Sequence, residues 1–225
     1  MVTSLDPCDV VHIAVMTKAP IPGFAKTRLI PALGARGAAH LQRQFTRRTL
    51  ETAQTAQLGP VRLWCAPDTG HAFFRALRRR CDVHCEAQAD TDLGQRMLQA
   101  LTAPGLPCIV IGTDCPALTP QHLRDAARAL QSGQDAVFIP AQDGGYVLVG
   151  LSRVVPGLFE DIDWGSARVM QQTRQRLRSA AALWQELPPL WDVDLPADLH
   201  RLKLTGMLTP AGTGGRSVAA LSSGD

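Results

Sequence analysis

Short unbroken apolar runs alternate along this chain with apolar residues spaced three and four apart. Residues 10–16 (Val-Val-His-Ile-Ala-Val-Met), 61–66 and 107–111 are too short for helices and rich in β-branched side chains, which predicts strands buried on both faces. Residues 82–88 alternate and predict a further strand. Between these runs the period lengthens. Ala38, Leu41, Phe45, Thr49, Thr52 and Ala56 make one helical stripe over 35–57, stopped by Gly59-Pro60. Phe73, Phe74 and Leu77 mark a second helix, and a third runs to Leu101 from an Asp or Thr cap. A fourth opens at Thr119-Pro120, carries Leu123, Ala126, Ala127 and Leu130, and stops at Gly133. Four strand–helix repeats predict right-handed βαβ units and a mostly parallel sheet.

Beyond residue 134 the rhythm breaks. Two strands, 135–140 and 146–151, are joined by only Ala141-Gln142-Asp143-Gly144-Gly145. So short a linker cannot cross over, so the strands run antiparallel or diverge into a small secondary sheet. Ser166 is expected to cap a helix over 167–180, and Pro188-Pro189 assigns the last strand-like segment, 183–193, to an edge. Pro196 and Asp198 have the character of a helix start. From Gly206 onward Gly, Thr, Ser and Ala dominate, which predicts a flexible tail after one domain spanning 1–205.

With 225 residues and 45% hydrophobic content, one α/β core of ordinary size is expected. No apolar stretch approaches the roughly 20 residues that span a bilayer, and acids rather than bases precede the first apolar run, so a cytoplasmic protein without membrane contact is expected. A net charge of +3 with no long basic run argues against a nucleic-acid partner. Arg78-Arg79-Arg80 suits a solvated helix end. The six cysteines are too sparse for a disulfide framework, and Cys81, His84 and Cys85 lack the second close pair of a zinc site.

Candidate chemistry gathers in the segments that follow the strands. Gly112-Thr113-Asp114-Cys115-Pro116 puts Asp114 just beyond a central strand, at the rim where open α/β sheets bind ligands. There it either holds a cation and a phosphate or shapes the turn before Pro116. The loop 17–29 carries Lys18, Lys26 and Arg28, three cations able to converge on a pyrophosphate. It is neither a P-loop, because Ala25 precedes Lys26-Thr27, nor followed by a dinucleotide fingerprint. Gly94, near a helix start, allows close approach by a ligand or a neighbour, and Arg96 can reach the same crevice. Asp143-Gly144-Gly145 reads either as a tight turn or as bare backbone for an acceptor, with Asp143 as base; Trp164 either walls a pocket or packs.

Five segments appear together in order: Lys18-Ala19-Pro20 with Pro22-Gly23 and Ala25-Lys26-Thr27-Arg28-Leu29; Asp92-Leu93-Gly94 with Arg96-Met97; Gly112-Thr113-Asp114-Cys115-Pro116; Pro140 with Asp143-Gly144-Gly145-Tyr146; and Asp192-Val193-Asp194 with Pro196 and Asp198-Leu199. From residue 10 to about 200 this set resembles a family of small GT-A-fold proteins described as nucleotide-diphospho-sugar transferase-like, some assigned as arsenosugar-biosynthesis glycosyltransferases. The resemblance implies a three-layer α/β sandwich whose mostly parallel sheet carries a small antiparallel insertion. It implies that Asp114 and Asp194 hold a divalent metal, Mg²⁺ or Mn²⁺. It also implies that the first loop wraps the nucleotide, with Lys18, Pro20, Gly23, Lys26, Arg28, Gly94, Arg96 and Thr113 as the nucleotide and phosphate contacts. Asp143 and Lys26 are the candidate catalytic residues, and Asp143, Gly144, Gly145, Tyr146 and Trp164 the candidate acceptor or sugar surface. The chain departs from the family at Leu195, where Thr is usual, and at Ala89, where Gly is usual. If Asp194 caps the following helix in place of that Thr, Asp192 becomes the substitute metal ligand.

The expected reaction is transfer of a glycosyl group from a nucleoside-diphosphate sugar to a small acceptor. Metal and cations stabilise the negative charge that builds on the departing diphosphate. The first loop also resembles that of 2-phospholactate guanylyltransferases, so nucleotidyl transfer with release of pyrophosphate stands as the alternative, but it differs from the Gly-rich loop of most sugar nucleotidyltransferases, which favours glycosyl transfer. A non-catalytic nucleotide-binding module is the third reading.

Overall fold

A computed structural model of the chain describes residues 10–206. Cys8, the acids ahead of the first strand and all of the expected tail except Gly206 lie outside the described residues. One sheet is built from β1 (His12–Lys18), β2 (Val61–Ala66), β3 (His84–Ala87), β4 (Cys108–Ile111), β5 (Ala136–Pro140), β6 (Tyr146–Leu151) and β7 (Trp184–Glu186), in the order β3-β2-β1-β4-β6-β5-β7. Every pairing is parallel except those of β6, which runs antiparallel to both β4 and β5. The short 141–145 linker thus takes the first of its two options: β6 turns back within the single sheet instead of leaving it. β7 lies at the edge beside β5, as its flanking prolines require.

Helices cover both faces. α1 (Ile30–Ala56), α2 (Ala72–Cys81) and α4 (Pro120–Gln131) pack on one side, where Leu50, Phe74 and Leu123 meet Val15, Leu63 and Ile111. α3 (Leu93–Thr102) and α5 (Val169–Ser179) pack on the other, where Met97, Leu101 and Leu177 meet Ala14, Val110 and Phe138. Each buried side chain of this size contributes about 1.5–3 kcal/mol, so these two layers of apolar contact hold the sheet. α1 breaks at Gly34 (φ 69, ψ 163), so its unbroken part begins at Ala35, where the helix expected from the sequence begins. Thr119 and His122 form a reciprocal capping box on α4, and Asp92 caps α3 by accepting from the Gln95 N–H at 3.0 Å. Ser166 does not cap α5 as expected; its hydroxyl accepts from the Arg168 N–H at 3.2 Å in a turn that precedes the helix.

A third apolar cluster positions the last segment. Leu29, Leu41 and Phe45 pack against Trp191 and Val193 and against Leu199 and Leu202 of α6 (Asp198–Leu204). Along 191–194 burial alternates, so Trp191 and Val193 point inward while Asp192 and Asp194 face the opposite way.

Candidate functional site

Strand order reverses between β1 and β4: β2 and β3 lie on one side of β1, and β4, β6, β5 and β7 follow on the other. The loops leaving the carboxyl ends of β1 and β4 therefore diverge, and a crevice opens between them. A cleft of ≈ 570 Å³ lies there. Buried Thr17, Gln42 and Thr113 form its floor, and Lys18, Lys26, Arg28, Arg96, Asp114 and Asp194 are among its walls.

The five segments of the sequence meet at or beside this cleft, though not all in the manner expected. The Val193 N–H donates to the Asp114 carbonyl at 2.8 Å, which sets the 192–194 segment alongside the rim of β4. Lys26 is not a solvated loop residue. Its side chain is 3% exposed, its Nζ lies 2.8 Å from Asp114 Oδ1, and it also donates to the Val193 carbonyl. The ammonium stands over the Phe45 ring, 5.3 Å from Nζ to centroid. Its backbone is left-handed (φ 52, ψ 43), which starts the 3₁₀ turn Thr27–Leu29 and directs the side chain inward. Arg28 pairs with Asp194 at the mouth, where both are exposed. Lys18 stands over the Phe24 ring at 5.9 Å. The three cations thus do not converge on an open space: two of them are bound to the acids.

Asp194 does not cap α6. The Asp198 carboxylate accepts from the Asp194 and Leu195 N–H groups at 3.0 and 2.7 Å and closes that turn, which leaves the Asp194 side chain to Arg28. Pro196 lies in the same turn, two residues before the helix. Asp192 is part-buried and does not line the cleft. Burial, with the carboxylates of Asp143, Asp114 and Asp194 close by, pushes its carboxyl up to about 6. Asp143 joins the acids through this proximity, and its own Oδ1 accepts from the Gly145 N–H at 3.0 Å. Burial pushes the neighbouring Cys115 thiol up to about 12, so it is no thiolate nucleophile. Among the described residues no group of three or more His, Cys, Asp or Glu side chains stands assembled for a metal ion.

Several expected ligand contacts turn out to be packing contacts. At Gly94 the close approach is made by neighbours: a Cβ there would meet the Phe159 carbonyl and Trp164 Cζ2, each at 2.8 Å. Gly144, in a left-handed conformation (φ 95), faces the Ala167 backbone, whose oxygen would lie 2.2 Å from a Cβ. Its carbonyl accepts from the Met170 N–H at 2.9 Å, so the turn is a socket for the start of α5 and not a bare surface. Tyr146 is a core ring between Phe138 and Trp164, with centroids 5.3 and 6.4 Å away, and its hydroxyl is buried beside Thr173 without a well-formed hydrogen bond. Pro20 is buried and Gly23 is an exposed left-handed turn residue; neither lines the cleft. Trp164 instead borders a larger concavity of ≈ 1240 Å³ between α3 and the 154–164 loop. That second hollow has the greater volume, but the cations and the Asp114–Asp194 pair belong to the smaller one, which is therefore the candidate site.

Two residues beneath the site, Gln42 and Gln88, are not among the candidates named from the sequence. Gln42 donates toward Thr17, Thr46 and Thr113, and Thr113 donates to Asp114 Oδ1 at 3.3 Å. Gln88 donates to the Thr17 and Trp64 carbonyls at 3.2 and 2.8 Å and accepts from Arg96 at 3.4 Å, tying β1 and β2 to the first turns of α3. A polar Gln beside Leu41 and Phe45, on the buried side of a helical stripe, was the signal available in the sequence.

A family model described as an uncharacterized protein conserved in bacteria (DUF2064) matches residues 49–166. Among solved structures, a Desulfovibrio desulfuricans G20 protein provisionally assigned as a nucleotide-diphospho-sugar transferase is 30% identical, over 87% of this chain and 87% of its own, with a TM-score of 0.78. A CMP:2-keto-3-deoxy-manno-octonic acid synthetase complexed with CTP is 10% identical over 88% of this chain and 98% of that one, with a TM-score of 0.58. Rv0371C in complex with manganese, from Mycobacterium tuberculosis H37Rv, is 15% identical over 86% and 98%, with a TM-score of 0.50. The last two likenesses are of fold alone. No curated protein matches the chain. The fold is the nucleotide-diphospho-sugar transferase and nucleotidyltransferase-like one expected from the sequence. No helix among the described residues is long and apolar enough to cross a membrane.

Proposed function

The chain belongs to the DUF2064 family, and from that premise we propose that it is a metal-dependent transferase acting on a nucleotide-activated donor, transferring a glycosyl group from a nucleoside-diphosphate sugar to a small acceptor. One observation carries the reading: two acids far apart in sequence, Asp114 and Asp194, share a cleft with Lys26 and Arg28 at the point where strand order reverses. Acids and cations alternating in one crevice suit a ligand that brings both phosphate and a hard cation.

The donor set fits Mg²⁺ or Mn²⁺, which take one or two carboxylates together with substrate phosphates instead of a complete protein cage. Asp114 would hold the ion with Asp194, or with Asp192. When bound, such an ion supplies positive charge against the diphosphate. The manganese complex of a protein with this fold is in keeping with that choice. Lys26 and Arg28 would supply positive charge to the phosphate oxygens and offset the charge that grows as the diphosphate leaves. Lys18 and Arg96 would hold the outer oxygens. Asp143, beside Asp192, is the candidate for orienting or deprotonating the acceptor.

A second reading, nucleotidyl transfer, uses the same hardware with attack at the α-phosphate; the CTP complex of a protein with this fold favours it. Incubating the protein and Mn²⁺ with nucleotide sugars and, separately, with nucleoside triphosphates plus small acceptors discriminates the two. Release of nucleoside diphosphate supports glycosyl transfer and release of pyrophosphate supports the second reading. Absence of any nucleotide binding by calorimetry refutes both.

A further inference from the structure

The floor of the cleft holds a buried side chain with one half of its hydrogen-bonding capacity committed and the other half open. Gln42 is 3% exposed and lines the cleft from α1. One end of its amide stands 3.1 Å from Thr113 Oγ1, 3.2 Å from Thr46 Oγ1 and 3.3 Å from Thr17 Oγ1. Counting protons decides which end that is. The Thr46 hydroxyl donates its only proton to the Gln42 main-chain carbonyl at 2.9 Å. The Thr17 hydroxyl, 2.9 Å from Thr46 Oγ1 and 3.4 Å from the Lys18 carbonyl, has its one proton committed to one or other of these acceptors. Thr113 gives its proton to Asp114. All three hydroxyls face the amide as acceptors, so the amide presents its NH₂ to them and its oxygen away from them. Among the described residues that oxygen accepts no hydrogen bond.

Buried acceptors are almost always paired, and a site whose polar groups need a partner selects the ligand that provides one. Phosphate oxygens cannot donate, and the cleft already meets them with Lys18, Lys26, Arg28 and Arg96. The complement of a neutral acceptor open on the cleft floor is a neutral donor, and in a nucleoside diphosphate only the nucleoside has one: a ribose hydroxyl or a base N–H. Resting on the nucleotide reading above, we propose that Gln42 is a specificity-determining contact, its Oε1 accepting from a hydroxyl or N–H of the nucleoside while its NH₂ holds Thr113 against Asp114.

The test is calorimetric titration, with Mn²⁺ present, of the wild type, Gln42→Met and Thr113→Val. The ligands are nucleoside diphosphates, their 2′-deoxy, 3′-deoxy and base-N-methylated analogues, and inorganic pyrophosphate. The wild type is expected to prefer the parent nucleotide over one class of analogue by about tenfold, and Gln42→Met to lose that preference. Discrimination against the deoxy compounds identifies a ribose hydroxyl, and against the methylated bases an N–H. Thr113→Val, which cuts the link to Asp114 and spares the amide oxygen, is expected to keep the preference; its loss there to the same degree would assign the effect to packing and overturn the proposal. Retention of the full preference in Gln42→Met also overturns it. Should circular dichroism show that Gln42→Met is unfolded, the wild type decides alone, since equal affinity for the parent and every analogue overturns the proposal. Failure of the wild type to bind nucleotide or pyrophosphate at all refutes the nucleotide reading instead, a separate result.

Discussion

Replacing Lys26 by Met removes an ammonium and keeps most of the volume around it. Three consequences can be weighed from the structure. The Val193 carbonyl loses a buried donor, which costs about 1–3 kcal/mol. Phe45 loses the cation over its face, about 0.5–1 kcal/mol. Asp114, 47% exposed, regains water and adds little, while the ammonium no longer has to be stripped of its own hydration and returns part of the loss. The net is about 2 kcal/mol, or a melting temperature lower by about 4–8 °C for a chain of this size. Binding should move in opposite directions. With no ammonium competing at Asp114, Mn²⁺ alone should bind more tightly, whereas nucleoside diphosphates should bind about tenfold more weakly for want of a charge-assisted contact. Scanning calorimetry reads the first effect, and manganese electron paramagnetic resonance with nucleotide titration reads the others. A Lys26→Met protein that melts within about 1 °C of wild type and binds Mn²⁺ unchanged would show that Lys26 is not the counter-ion of Asp114, and the electrostatic account of the cleft would fail with it.

Two further outcomes follow from the same geometry. Folded, Asp192 keeps its proton up to about pH 6, whereas unfolded it releases it near the ordinary carboxyl value of about 4. The folded state therefore binds more protons in that window, so stability should fall as pH rises from about 4 to 6. Asp192→Asn should flatten that part of the melting-temperature profile, and parallel wild-type and variant profiles would contradict the assignment. At the β5–β6 turn, Gly144→Ala meets the Ala167 carbonyl at 2.2 Å and a positive φ at once, so it should cost about 3 kcal/mol or more in urea unfolding. Gly165→Ala, with φ +82 but nothing within 4 Å, should cost only about 1 kcal/mol, and equal losses at the two sites would refute the steric argument.

Local periodicity carried most of the architecture. The unbroken apolar runs became β1, β2 and β4 because a strand covered on both faces has no solvent side to record, and the helical stripe from Ala38 to Ala56 became the inner side of α1, with Leu41 and Phe45 against the 191–202 segment and Ala56 against the sheet. The Thr119-Pro120 and Asp92 starts read correctly because a cap is decided within one turn. The Ser166 start did not, because Gly144 packs on the Ala167 backbone and accepts from the Met170 N–H, while Gln172 accepts from the Asp163 N–H, contacts made outside the turn itself.

The acids and bases of the cleft could be named from the sequence, but their partners could not. Lys26 and Asp114 are bound to one another because the Leu29–Phe45–Val193 cluster draws the 192–194 segment beneath the first loop, and that cluster joins residues more than 160 positions apart. Glycine roles divide in the same way. That Gly94 and Gly144 allow close approach is written in the residue, but whether a ligand or Phe159 and Ala167 does the approaching depends on what the fold brings there. Gln42 is the extreme case: its place beside Leu41 and Phe45 marks it as buried, but the direction of its amide comes from proton counts on three threonines in three different segments. Sequence alone determined the elements, their alternation and the types of charge at the carboxyl rim, since these depend on neighbours within a few residues. Only the tertiary structure decided which charges neutralise each other and which polar groups are left to meet a ligand, since pairing at a distance is set by how the layers pack.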